Sequence, residues 1–202
     1  FLSSTSGNFC DGIGKEGKGI KVDSGEILKL PKEYLRQGKT YKFFETDKGQ
    51  IKFWFKPDWN FPDADQHVLF TNLIDTNPDT AVFSYSGFDI LFGSNKGLIG
   101  KVSVNGVDYV ASTGTGISVN KDTWYLIKFY WELPGEIKVE IYEGATKFIG
   151  SGTASVTGKP SITGDLLIGS NQAGTKQADG VIDGFNIMIP AEEMPPLPPP
   201  QP

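Results

Sequence analysis

An all-β fold, an antiparallel sandwich of two sheets, is predicted for this 202-residue chain by three observations. Short runs alternate apolar and polar residues with a period of two, which is the spacing of a half-buried strand. About a dozen such runs follow one another, bounded by Gly, Pro, Asn or Asp, with no long helical pattern between them. The composition agrees, since 25 Gly and 13 Pro supply turns while 4 Trp, 7 Tyr and 14 Phe supply bulk for sheet packing.

Taken in chain order, residues 19–23 (GIKVD) and 26–30 (EILKL) read as two strands of a hairpin turning at Ser24 and Gly25. Residues 31–37 (PKEYLRQ) read as a helical turn or short helix, with Pro31 at its first position and Gly38 just past its end. Residues 50–56 form a strand with Ile51, Phe53 and Phe55 on one face and Gln50, Lys52, Trp54 and Lys56 on the other. Strands follow at 68–73, 81–85 and 88–92. Those at 98–104 and 107–111 flank Asn105 and Gly106, the strongest hairpin signal in the chain. Residues 123–131 (TWYLIKFYW) are apolar on both faces, with Lys128 their only charge. Such a strand sits centrally, one face in the core and the other covering part of a second surface. Residues 136–142 place Ile137, Val139 and Ile141 inward, with Lys138 and Glu140 outward. Strands at 147–150, 165–168 and 180–189 complete the set.

Net charge is −5 and the pI about 4.9. An acidic chain with scattered lysines argues against nucleic acid as a partner. No run of 18 apolar residues is present, so no helix is expected to insert in a membrane. Cys10 is the one cysteine, which excludes an intrachain disulfide. The first nine residues lack the basic and apolar regions of a signal peptide, and the chain starts at Phe1 without Met. It reads as a processed form or a piece of a longer protein. Residues 1–14 read as a lead-in, 15–190 as one domain, and 191–202 (AEEMPPLPPPQP) as a polyproline II spacer or, less readily, a docking motif.

The order of the segments resembles a known scaffold. GKEGKGIKVDSGEILKLP, GQIKFWFKPDW, DADQHVLFTN, NKDTWYLIKFYWELPGEIKVEIYEG and DLLIGSNQAGTKQADGVIDGFNIMI succeed one another as in laminin-G-like domains. These are jelly rolls of the concanavalin A-like lectin/glucanase superfamily. The resemblance covers roughly residues 15–190. It implies a two-sheet jelly roll with first and last strands adjacent, used mostly for binding. It also implies that calcium, bound at a rim loop in many such domains, is the cofactor to consider, although none is required. Asp63 and Asp65 form one candidate set, and Asp75, Asn77 and Asp79 the other, because a hard cation takes oxygen ligands. Asp and Asn are equally the residues of ordinary turns.

Sugar binding asks for aromatic rings beside loop amides and carboxylates. Trp59, Phe61, Tyr85 and Phe88 are the candidates, against the alternative that they close the ends of the core. The glucanases of the superfamily carry E-x-D-x-x-E on one strand. Here Glu136, Glu140 and Glu143 stand at another spacing with Lys138 between, and read as a solvent face. His67, the single histidine, has no nearby constellation for catalysis and reads as a residue at the start of a strand.

Three functions remain. The first is a non-catalytic recognition module of a larger extracellular, cell-surface or virion protein, binding a glycan or a neighbouring subunit. The second is a structural decoration or fibre domain acting through subunit contacts. A glycan-cleaving enzyme ranks last.

Overall fold

The computed structural model describes residues 3–4, 11–15, 18–23, 27–36, 39–73, 86–94, 96–162 and 164–190. Along them run β1 (Ser3–Ser4), β2 (Asp11–Ile13), β3 (Lys18–Val22), β4 (Leu28–Leu30), β5 (Glu33–Arg36), β6 (Lys39–Lys42), β7 (Lys48–Pro57) and β8 (His67–Thr71). Then come β9 (Gly87–Gly93), β10 (Gly97–Val104), β11 (Val107–Ser112), β12 (Tyr125–Glu132), β13 (Gly135–Glu143), β14 (Lys147–Val156), β15 (Leu166–Ile168) and β16 (Gly180–Met188). No helix is found among the described residues. One sheet runs β1-β4-β15-β8-β9-β10-β11, the other β14-β13-β12-β7-β16-β3-β2, and β5 and β6 pair by themselves. The result is an antiparallel β-sandwich of the jelly-roll kind.

The period-two pattern explains the core. Ile51, Phe53 and Phe55 on β7 and Tyr125, Ile127 and Phe129 on β12 are fully buried. Their register pairs Phe53 with Ile127 and Ile51 with Phe129, so the inward residues form one continuous apolar face. Phe88, Ile90 and Phe92 of β9 meet that face from the β8 sheet. Each such side chain contributes about 1.5–3 kcal/mol of burial. Phe44 stacks on Trp131 at 4.9 Å and meets Phe88 edge-on at 5.0 Å. A Cβ at Gly100 would lie 2.5 Å from the Phe129 ring, which is why β10 carries no side chain at that point.

Two expectations change. Residues 33–36 form β5 and pair with β6 in the register Tyr34–Tyr41 and Leu35–Thr40, not a helix. So few residues cannot repay helix nucleation, and a strand partner lies two residues downstream. Residues 19–23 and 26–30 do not form a hairpin. β3 pairs with β2 and β16, whereas β4 joins the opposite sheet beside β1 and β15. Val22 and Leu28, in opposite layers, are both buried. β1 and β2 each stand at the edge of a sheet. β3, the first strand expected in the domain, pairs directly with β16, the last, as expected. The strand expected at 81–85, Cys10 and the proline tail lie outside the described residues.

Candidate functional site

Three of the four aromatic candidates are buried. Trp59 is 9% exposed, Phe61 3% and Phe88 fully buried. Trp59 donates its Nε1–H to the Ala178 carbonyl at 2.8 Å and stacks flat on the His67 ring at 4.0 Å. Phe61 pairs by backbone with Val119. None of the three presents a face to a ligand, because Trp59 and Phe61, between β7 and β8, close onto the Phe92 ring and Phe88 is an inward residue of β9. Tyr85 lies outside the described residues.

His67 is the hinge of that closure. It starts β8, as expected, with Nδ1 3.2 Å from the Gln177 carbonyl and Nε2 3.3 Å from Asp63 Oδ2. Asp179 Oδ2 lies 3.3 Å from Nδ1. Burial pushes the Asp179 carboxyl up, against the pull of His67. The Asp63 carboxyl is held below its ordinary value chiefly by the Asp65 N–H, which donates to Oδ1 at 3.0 Å. Asp63 thus forms an Asx turn whose second oxygen faces His67, the ordinary turn role of the residue. Among the described residues no three His, Cys, Asp or Glu side chains gather as a metal site would need. Asp75, Asn77 and Asp79 lie outside them.

Each sheet also has an outward face. On the β8 sheet a cavity of about 460 Å³ lies between Val68, Leu91, Asp89 and Lys101 of the strands and Asn171 and Lys176 of the following loop. Asp89 and Lys101 form an ion pair at 3.0 Å, with Asp108 3.6 Å from the same ammonium. Burial pushes the Asp89 carboxyl up, opposed by Lys101. This pair satisfies itself, and no ring lines the cavity among the described residues.

The outward face of the β12 sheet is different. Its central strands set polar and aromatic side chains in cross-strand rows. Trp54 pairs with Leu126, Lys52 with Lys128, and Gln50 with Tyr130. On the other flank Tyr142 pairs with Leu126, Glu140 with Lys128, and Lys138 with Tyr130. The Lys128 ammonium lies 4.7 Å from the Tyr142 ring centre, and Lys56 lies 5.4 Å from that of Trp124. Such contacts hold rings and ammonium groups upright at a wet surface.

Glu140 corrects the solvent-face reading of β13. It is only 8% exposed, although it points away from the core. Tyr142 donates its hydroxyl to Oε2 at 3.0 Å, Lys138 reaches Oε1 at 2.6 Å, and the Tyr130 hydroxyl lies 3.5 Å away. Burial opposes its charge, yet Lys138 and Tyr142 hold the carboxyl below its ordinary value. Burial first, and Glu140 second, push the Tyr130 phenol up to about 12. Glu136 remains exposed, and Glu143 pairs with Lys147 at 2.8 Å.

Next to this cluster a cavity of about 490 Å³ is walled by Gln50, Tyr130, Lys138 and Met188, with Glu132 and Glu136 at its rim. It brings together a ring, an amide, an ammonium and carboxylates, the groups that grip a polyhydroxylated ligand. These residues were not among the sequence candidates. Their signal was the aromatic load on the second face of residues 123–131, where a solvated strand would carry none.

No family model matches the chain, and no curated protein matches it. Solved structures do. Full-length tailspike protein 2 of an Escherichia coli bacteriophage is 11% identical over 88% of this chain and 23% of its own, with a TM-score of 0.60. The enzymatically active domain of that tailspike is 12% identical over 88% of this chain and 26% of its own, at 0.57. The binding domain of Paraclostridial Mosquitocidal Protein 1 is 16% identical over 93% of this chain and 44% of its own, at 0.55. What these share with the chain is the sandwich fold. In each case the chain spans less than half of the matched chain's length.

Proposed function

We propose that this domain is a glycan-recognition module of the concanavalin A-like, laminin-G-like jelly-roll group, carried by a larger extracellular or virion-surface protein. The observation that carries the reading is the Tyr130 cavity on the outward face of the β12 sheet. There a half-buried ring is fixed by its neighbours beside Gln50, Lys138 and the rim carboxylates. A sugar offers an apolar ring face and a hydroxyl rim, and such a wall answers both. A toxin binding domain and a phage tailspike among the structures of like fold support a role at a surface. Calcium remains a candidate cofactor through Asp75, Asn77 and Asp79.

A second reading has one observation behind it. Glu132 and Glu136 are cross-strand partners at the cavity rim, and glycoside cleavage uses two carboxylates facing one bond. We favour binding, because the Glu132 side chain is 71% exposed and salt-bridged to Lys48 at 3.1 Å. A general acid needs surroundings that keep its proton, and open solvent does not supply them.

The test is a glycan array with and without calcium, followed by Tyr130→Ala. A hit that weakens about tenfold in Tyr130→Ala, with cooperative melting retained, supports the site. A blank array beside a folded domain would favour the structural-subunit reading. Release of reducing ends that stops in Glu136→Gln would favour cleavage.

A further inference from the structure

Lys52 of β7 and Lys128 of β12 are direct cross-strand partners in the middle of the outward face. Like charges placed opposite each other destabilise a sheet. Neither forms a salt bridge among the described residues. Lys128 lies over the Tyr142 ring at 4.7 Å and helps to hold the Glu140 carboxyl charged, whereas neither cross-strand partner of Lys52 carries a negative charge. Lys52 pairs on its far side with Asn186, which is uncharged. Lys128 pairs with Glu140, whose oxygens already take Lys138 and Tyr142. The two lysines therefore stand side by side on the face of a chain whose net charge is −5. One row to one side is Trp54, and one row to the other are Gln50 and Tyr130, each about 7 Å away along the strands.

Resting on the glycan reading above, we propose that this face recognises an acidic glycan, with a carboxylate or sulfate bound between Lys52 and Lys128. An anion there converts a repulsion into two charge-assisted hydrogen bonds. Tyr130 flanks it on one side as a platform for a sugar ring, and Trp54, with the Lys15 ammonium 5.4 Å from its ring centre, on the other. The pattern favours a sparsely charged sugar chain over a nucleic acid. Glu136 and Asp183 belong to the same sheet, where they would repel a run of phosphates but accept hydrogen bonds from hydroxyls.

The experiment uses the full chain and a panel that pairs uronate oligosaccharides with their methyl esters and sulfated oligosaccharides with unsulfated ones. Affinities are measured by calorimetry at low and high salt. We expect acidic members to bind about tenfold or more tightly than their neutral partners, with the preference lost in Lys52→Gln/Lys128→Gln. Lys96→Gln, in the turn between β9 and β10, should leave it intact. Cooperative melting of the double variant without ligand checks that it remains folded, since Lys128 also contacts Tyr142 and supports Glu140. Equal affinity for esters and acids, or an unchanged double variant, overturns the acidic-glycan proposal while leaving the glycan reading standing. Failure of every sugar to bind sinks both, as does binding of single-stranded oligonucleotide in their place.

Discussion

Trp59 shows how a residue's chemistry leaves its role open. Its indole is the kind of ring that binds sugars, but here its N–H is spent on Ala178 and its face on His67. Trp59→Ala should lower stability by about 3–5 kcal/mol in urea unfolding and leave glycan affinity of the folded protein unchanged. Loss of affinity with unchanged stability would return the ring to the list of ligand contacts. Tyr130 is the reverse case. It stands on the second face of a strand whose alternation was read correctly, yet its cavity depends on Gln50 and Met188, distant in sequence and adjacent by register. Glu140 was legible as outward-facing, but its burial was not. The rings that cover it arrive from its own strand and from β12.

At the level of elements, the hairpin at Asn105 and Gly106 was fully legible. The two residues have φ of 50° and 83°, and β10 and β11 pair in register around them. Left-handed backbone at both turn positions is what Asn-Gly favours. Gly106→Val should cost about 1–2 kcal/mol, read as a shift in the denaturation midpoint. An unshifted midpoint would mean that the turn adapts and does not pin the register. The segment at 31–42 was less legible, because a Pro-to-Gly frame suits a helical turn and a hairpin alike. β3 and β4 were misjoined for a similar reason. Alternation reports that each has a buried face, not which sheet supplies the partner.

For the whole molecule, Glu140 is one of the carboxylates, with Asp47 and Asp63, whose lowered values contribute stability that is lost in acid. Its folded value is below the ordinary 4.5, so the unfolded chain takes up its proton first as pH falls. The stabilisation is present above that value and is lost as pH drops through the folded value. Glu140→Gln should therefore flatten the acid limb of a stability-versus-pH profile, measured by thermal melting. A limb of unchanged slope would assign acid unfolding to other carboxylates.

The strands themselves are local property. The period-two alternation of β7, β12 and β13 and the turn chemistry of Asn105 and Gly106 are carried by neighbouring residues, so the sequence alone determined an antiparallel sandwich. What occupies an outward face is decided at a distance. Lys52 meets Lys128, Gln50 meets Tyr130, and Trp59 meets His67 through register and loop closure. Residues far apart in the chain become neighbours only when two strands or loops are placed side by side, and a single sequence records the period of each strand but not the identity of its partner.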